Sequence, residues 1–349
     1  FATASMPDEQ NAYAVCEALA AEPDGLSIPA LEARVQLRRS TLELLLKVLD
    51  VEDAVRKIGS RWYSTGAPWS YDAPRYRAVA QARVREQEAM LAYESTEGCR
   101  MVFLARELDD TTAAPCGKCD RCAGPWYPEQ VSERAVQQAQ GTLNAVGVEI
   151  APRGMWPTGL QELAGENAPK GKIPVSERAE PGYALARLSD VGWGSRVREL
   201  LATDESGEPL DTPVPQALGQ ACVRVLAAWD WGETGRPETV LTVPSPVRPT
   251  LARSLGEGLA HVGKLVYLGE AELAAEPRFF GGNSVFRCAD VMRSYQIPPE
   301  VIERLREHPG PVLLVSDIVD SRWSITVLAQ RLRAGGASAV YPFALGVTH

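Results

Sequence analysis

Histidine is nearly missing: three occur in 349 residues, and none precedes His261. An imidazole ligand is therefore excluded from any metal site in the first 260 residues. No apolar run approaches the roughly 18 residues of a membrane span, so no membrane partner is expected. The opening stretch FATASMPDEQ lacks the basic and apolar regions of a signal peptide. It also lacks an initiator Met and reads like the tail of an earlier helix, so a fragment of a longer polypeptide is expected. Seven cysteines are too few and too unevenly placed for a disulfide framework, which points to a reducing, cytoplasmic setting. The net charge of −9 excludes a wholesale basic coat for nucleic acid. Internal repeats and low-complexity tracts are absent as well.

What is present is an ordinary globular composition, 45% apolar and 23% charged. The length exceeds what one core usually organises, so two or three domains are expected. Charge is uneven along the chain. From Arg34 to Arg85 there are eleven Lys/Arg against five Asp/Glu, a local excess of +6. Such a segment is either a binding face or a solvated helix surface.

Residues 1–70 read as three helices and a hairpin, the winged-helix pattern. The first helix, Asn11–Ala21, stops at Glu22-Pro23-Asp24-Gly25. Ser27 caps the second, with Pro29 in its first turn. Ser40 or Thr41 opens the third, whose stripe is Leu42, Leu45, Leu46 and Leu49. Strands Ala54–Ile58 and Arg61–Ser64 then flank a Gly59-Ser60 turn. Residues 71–124 read as a helical hairpin: an amphipathic helix over Pro74–Ser95, a shorter one over Cys99–Glu107, and a cysteine knuckle. Ala123-Gly124-Pro125 breaks the chain there. Residues 125–235 alternate helix and strand as a connecting α/β region, part of the terminal domain, and residues 236–349 continue that alternation. Gly281-Gly-Asn283 and Asp190-Val-Gly-Trp193-Gly read as loops without assignable chemistry. The expected class is multidomain, α+β followed by α/β.

Cys116-Gly-Lys-Cys119-Asp-Arg-Cys122 sets three thiols at C-x2-C-x2-C spacing. In such a turn backbone amides face the sulfurs while the side chains converge on one metal. Tetrahedral zinc needs a fourth ligand, and Cys99 is the nearby candidate. Four thiolates leave no position for water, so the zinc is expected to be structural. An iron–sulfur cluster or redox thiols are the alternatives. Cys16, Cys222 and Cys288 sit in apolar surroundings and read as core packing.

The stretch Tyr93-Glu-Ser-Thr-Glu-Gly-Cys99-Arg100, with the knuckle Cys116-Gly-Lys-Cys119-Asp-Arg-Cys122, resembles the zinc-binding subdomain of RecQ helicases. That family has a long helix, a Cys-Arg pair opening the next helix, and a Cys-Gly-x-Cys-Asp-x-Cys knuckle. The match covers residues 75–122, and all four ligand positions carry over. In that family the winged helix usually follows the zinc module; here it precedes it.

In a winged helix the third helix enters a groove and the hairpin meets the backbone. Arg38, Arg39, Ser40 and Thr41 lie at the start of that helix, where amides also favour phosphate. Arg56, Lys57 and Arg61 flank the hairpin tip, with Trp62 and Tyr63 beside them. These cations are the candidate DNA contacts. The two aromatics either stack on a frayed base or pack the core of the wing.

The run Val312–Thr326 resembles the phosphoribosyltransferase loop that grips the 5-phosphate of its diphosphoribose substrate. That family places two adjacent acids after a strand, then a Thr/Gly-rich turn whose amides cradle phosphate. Asp317, Asp320, Ser321, Arg322 and Ser324 occupy the corresponding stretch. Ser316 stands where the first acid belongs, and Arg322 and Trp323 replace Gly and a small residue, so the loop is degenerate. Val243-Pro-Ser-Pro-Val-Arg248-Pro is similar to an earlier strand-end loop of that fold. The expectation is an inherited α/β phosphoribosyltransferase-like domain without transferase activity.

This order of modules resembles one clade of bacterial RecQ-like helicases, the RqlH type. Thirty of the 36 basic residues are Arg, which suits a high-GC bacterium. The resemblance implies a 3′-to-5′ DNA helicase whose ATP- and Mg-dependent motor lies upstream in the same polypeptide. It also implies DNA, at a fork or single-strand junction, as the partner. No G-x-x-x-x-G-K-[ST] phosphate loop and no Asp-Glu-x-His box occur in the chain. A phosphoribosyltransferase with a nucleic-acid-binding front end, or a zinc-containing winged-helix regulator, are the alternatives.

Overall fold

The computed structural model describes residues 8–348 apart from 126, 129, 144, 145 and 279–282. The chain forms two compact units. One runs up to Leu31 and resumes over Arg39–Gln137; the other comprises Glu32–Arg38 and Gln138–His349.

The first unit opens with α1 (Glu9–Ala20), capped by Asp8, whose carboxylate accepts from the Asn11 amide at 3.0 Å. Strand β1 (Leu26–Ser27) follows, then α2 (Ile28–Arg34), whose residues from Glu32 on are counted with the other unit, and then α3 (Arg39–Val51), β2 (Val55–Ile58) and β3 (Arg61–Ser64). The expected hairpin is present, but β1 adds a third strand, antiparallel to β3 with Leu26 opposite Trp62. Two residues are too short to leave a period-2 pattern in sequence. Gly25 makes this approach possible: its φ is +67°, and a Cβ there would meet the Trp62 carbonyl at 2.7 Å. The predicted stripe Leu42, Leu45, Leu46 and Leu49 is buried, and with Ala12, Val15, Leu19, Val55 and Trp62 these residues supply buried apolar surface to the unit.

Next comes α4 (Ala73–Ser95), then α5 (Arg100–Glu107), α6 (Asp120–Ala123) and α7 (Glu133–Leu143). Glu52 fixes the start of α4. Its carboxylate accepts from the Tyr76 hydroxyl (2.7 Å), Arg75 (3.0 Å) and the Trp69 indole (2.8 Å). Beyond that anchor the expected amphipathic helix lacks a buried face: Tyr76 is its one buried side chain among the described residues. Val79, Val84, Met90 and Leu91 remain in solvent.

The second unit is built on a six-stranded sheet. Its elements are β4 (Val148–Ile150), α8 (Leu160–Ala164), β5 (Gly182–Arg187), α9 (Trp193–Leu200), α10 (Gln216–Ala228), β6 (Thr239–Thr242), α11 (Pro249–Gly263) and β7 (Val266–Glu270). A small ribbon of β8 (Glu272–Leu273) and β9 (Tyr295–Gln296) brackets α12 (Ser284–Ser294). Then follow α13 (Pro299–Glu307), β10 (Pro311–Val319), α14 (Trp323–Gly335) and β11 (Ala339–Val347). Sheet order is β4-β5-β11-β10-β6-β7, with β4 antiparallel and the rest parallel.

Alternate residues of the central strands face opposite cores. Leu241, Val312, Leu314 and Val340 pack with Leu305, Leu328 and Leu332 from α13 and α14. Val240, Leu313, Val315 and Phe343 pack with Val197, Cys222, Leu251 and Leu255 from α9, α10 and α11. Strands covered on both faces read as continuous apolar runs, which is why β10 and β11 stood out in sequence. The loop reading of Asp190–Gly194 needs correction, since Trp193 begins α9 and is buried. Asn283 caps α12, accepting from the Val285 and Phe286 amides, and donates to the Glu32 and Val35 carbonyls of the same unit. Gly281 and Gly282 lie outside the described residues. Among the described residues no helix is long and apolar enough to cross a membrane.

Candidate metal centre and nucleic-acid interface

Cys99 caps α5 and Cys119 caps α6, and the turn between Cys116 and Cys119 brings the remaining thiols inward. The ligand atoms of Cys99, Cys116, Cys119 and Cys122 all lie within 4.8 Å of one another. A tetrahedral ion with metal–sulfur bonds of about 2.3 Å requires sulfur–sulfur edges of about 3.8 Å. The Cys99 and Cys119 sulfurs stand 4.0 Å apart, near that edge and far beyond a disulfide bond. The four residues therefore fit one metal ion such as zinc.

Backbone amides already solvate the sulfurs. The Cys116 amide donates to Cys99 Sγ at 3.3 Å, while the Lys118 and Cys119 amides donate to Cys116 Sγ at 3.4 and 3.3 Å. The Cys116 amide is the main reason the Cys99 thiol is pulled down to about 6. The Arg100 amide likewise lowers Cys119. Cys122 receives the Gly117 amide, yet its proximity to the Cys119 and Cys99 sulfurs outweighs that donor and pushes it up to about 11. Crowded thiols of this kind ionise together only beside a cation, which is the electrostatic demand a divalent metal meets.

A second device holds the centre, and the sequence reading passed over its pairing. Arg100 grips Asp120 through two parallel bonds, Nε to Oδ1 at 2.7 Å and Nη2 to Oδ2 at 2.9 Å. Its third nitrogen donates to the Tyr93 carbonyl at 2.7 Å, with the guanidinium over the Tyr93 ring. Each partner directly follows a cysteine of the cluster, so the clip fixes the distance between the two halves of the site. The guanidinium holds the Asp120 carboxyl below its ordinary value. The available signal was an Arg and an Asp of opposite charge, each adjacent to a ligand. Asp120→Asn or Arg100→Ala should weaken metal affinity by about 10- to 100-fold, read by competition with a chromogenic chelator. Unchanged affinity in both variants would show the clip to be incidental.

The candidate DNA-contacting residues Arg38, Arg39, Ser40, Thr41, Arg56, Lys57 and Arg61 are all exposed. Arg39, Ser40 and Thr41 form the first turn of α3, which begins one or two residues before the expected cap. Three of the cations are partly engaged. Arg39 pairs with Glu43 at 3.0 Å and Arg56 with Asp53 at 2.8 Å, while Arg61 donates to the Asp24 and Gly25 carbonyls. Exposed pairs of this sort are weak and exchange readily for phosphate. Lys57 sits 5.8 Å from the Trp62 ring. Trp62 itself is 6% exposed, so it packs the unit and is unavailable for base stacking, whereas Tyr63 is half-buried.

At the end of β10, burial raises the carboxyl of half-buried Asp317, offset in part by the Ser245 hydroxyl and the Ile318 amide. Asp320 is held by Arg287 and by the Thr348 hydroxyl (3.0 Å). Arg322 takes the left-handed conformation (φ +65°) that favours glycine, and its guanidinium donates to the Ala151 carbonyl at 2.9 Å. Trp323 is buried and stacked on Trp156, with the Arg153 guanidinium 3.9 Å over its ring. The Ser321 hydroxyl faces the Trp323 amide at 3.4 Å, and Ser324 lies half-buried in the first turn of α14. Cys222 and Cys288 are fully buried as expected, while Cys16 is half-buried.

No protein-family model matches the chain, and no curated protein matches it.

Proposed function

We propose that this chain is the non-motor C-terminal portion of a bacterial RecQ-like 3′-to-5′ DNA helicase. A structural zinc orders its helical hairpin, and a winged helix engages DNA at a fork or single-strand junction. ATP and Mg belong to a motor upstream in the same polypeptide. The observation that carries this reading is the four-thiol cluster clipped by Arg100 and Asp120, in the order Cys-Arg and Cys-Gly-x-Cys-Asp-x-Cys. The helix–strand–helix–helix–hairpin order of residues 9–64 supports a winged helix, and the exposed cations on α3 and the β2–β3 hairpin supply its phosphate contacts.

A helicase accessory reads DNA structure, whereas a transcription regulator reads base sequence. Fluorescence anisotropy with forked, tailed and blunt DNA of two unrelated sequences separates them. The expected result is tighter binding to fork and tailed DNA, indifference to sequence, and a slope of log affinity against log salt of roughly −0.9 per phosphate contact. Preference for one blunt duplex over the other would favour the regulator.

The enzyme reading has one observation in its favour, the retained Asp317 at the end of β10 beside Ser245. Against it stands a loop whose cradle is filled by its own side chains: Asp320 paired, Arg322 folded back to Ala151, and Trp323 buried. The domain is proposed as a phosphoribosyltransferase-like scaffold without that activity. Isothermal calorimetry should give no heat with phosphoribosyl diphosphate and Mg; micromolar binding would reinstate the enzyme.

A further inference from the structure

Helix α4 carries an arrangement that packing within its own unit does not use. Val79, Val84, Met90 and Leu91 are exposed, yet at 100° per residue they fall within an arc of about 140°. Charge along the same helix is sorted by halves. Arg75, Arg77, Arg83 and Arg85 come first, and Glu86, Glu88 and Glu94 follow. That order opposes the helix dipole, which favours acids at the start and bases at the end, so local helix energetics do not explain it. Arg83 pairs with Glu86 at 2.9 Å, and Arg75 turns away to Glu52. Among the described residues Arg77, Arg85, Glu88 and Glu94 make no ion pair.

A helix with a basic half, an acidic half and one apolar stripe shared by both is complementary to its own reverse. We propose that α4 is a self-association element: two copies of this chain pair their α4 helices antiparallel about a two-fold axis. Centred near Arg85, this alignment sets Val79 against the partner's Leu91 and Arg77 beside the partner's Glu94. The basic half of each helix then lies along the acidic half of the other. With 23 residues at 1.5 Å each, the helix offers about 34 Å of contact. A parallel pair would oppose like charges along its whole length, so antiparallel pairing is the arrangement this charge order permits.

The test is analytical ultracentrifugation of the full 349-residue chain, purified with zinc. At roughly 50 µM and low salt the chain should sediment as a dimer, and about 1 M salt should weaken the dimer at least tenfold as the screening length falls to about 3 Å. Arg77→Glu/Arg83→Glu leaves the helix predominantly acidic, with five acids against Arg75 and Arg85, and Glu88→Arg/Glu94→Arg leaves it predominantly basic, with six arginines against Glu86. Each variant should be monomeric alone, and a 1:1 mixture of the two should form heterodimers, a gain that misfolding cannot mimic. A monomeric parent chain overturns the proposal. So does a dimer that either charge reversal leaves intact, or a mixture of variants that stays monomeric.

Discussion

Replacing Cys119 by Ser should reduce bound metal from about one ion per chain to almost none, because three thiolates and a hydroxyl make a far poorer zinc site. The consequence for structure should be large and local. No residue of α5 or α6 is buried, so no apolar core holds residues 99–123 in place of the metal. Structural zinc sites contribute roughly 10–16 kcal/mol of apparent binding free energy at pH 7, far more than two short exposed helices supply. Limited proteolysis should therefore cut the variant between Cys99 and Cys122 while the sheet of the second unit resists. That unit keeps its own cores on both faces of the sheet, so its thermal transition should hardly move. Cys222→Ser is the matched control: it removes a fully buried thiol in the second unit, so its metal content should be unchanged. A Cys119→Ser chain with full metal content and unaltered cleavage would contradict the assignment of this ligand.

The second large effect concerns DNA. Changing Arg38, Arg39 and Lys57 together to Ala should weaken binding to every DNA structure by on the order of 100-fold. The salt slope should fall by about two to three, since each cation neutralises one phosphate. The pairing of Arg39 with Glu43 does not protect it, because both side chains are about half-exposed. Anisotropy titrations across a salt series measure both quantities. Equal affinity of variant and parent would place the DNA contact elsewhere. Trp62 is excluded from this set, since truncating a buried indole would unsettle the fold instead of probing a base contact.

The metal centre was legible in sequence because its information is local. Three cysteines within seven residues can converge without any knowledge of the fold, and Cys99 was the nearby fourth cysteine in a histidine-free region. The Arg100–Asp120 clip was hidden for the converse reason: the partners lie twenty positions apart, and opposite charges are common at that spacing. Strands β10 and β11 announced themselves as largely apolar runs. Strand β5 did not, since Gly182-Tyr-Ala-Leu-Ala-Arg187 follows a polar stretch and includes two helix-favouring alanines. Its strand state comes from pairing with β11, a long-range contact. Helix α4 shows another limit. Its periodicity is real, and a hydrophobic arc normally signals a buried face. In this chain the arc meets no partner within its own unit, so pattern predicted the helix but not its burial.

X-ray absorption spectroscopy at the zinc edge on the purified chain tests the central claim most directly, because it reports the metal and its neighbours together. The account predicts one zinc per chain with four sulfur neighbours at about 2.3 Å and no nitrogen or oxygen in the shell. A preparation that holds no zinc, or a shell in which oxygen or nitrogen replaces sulfur, would contradict it.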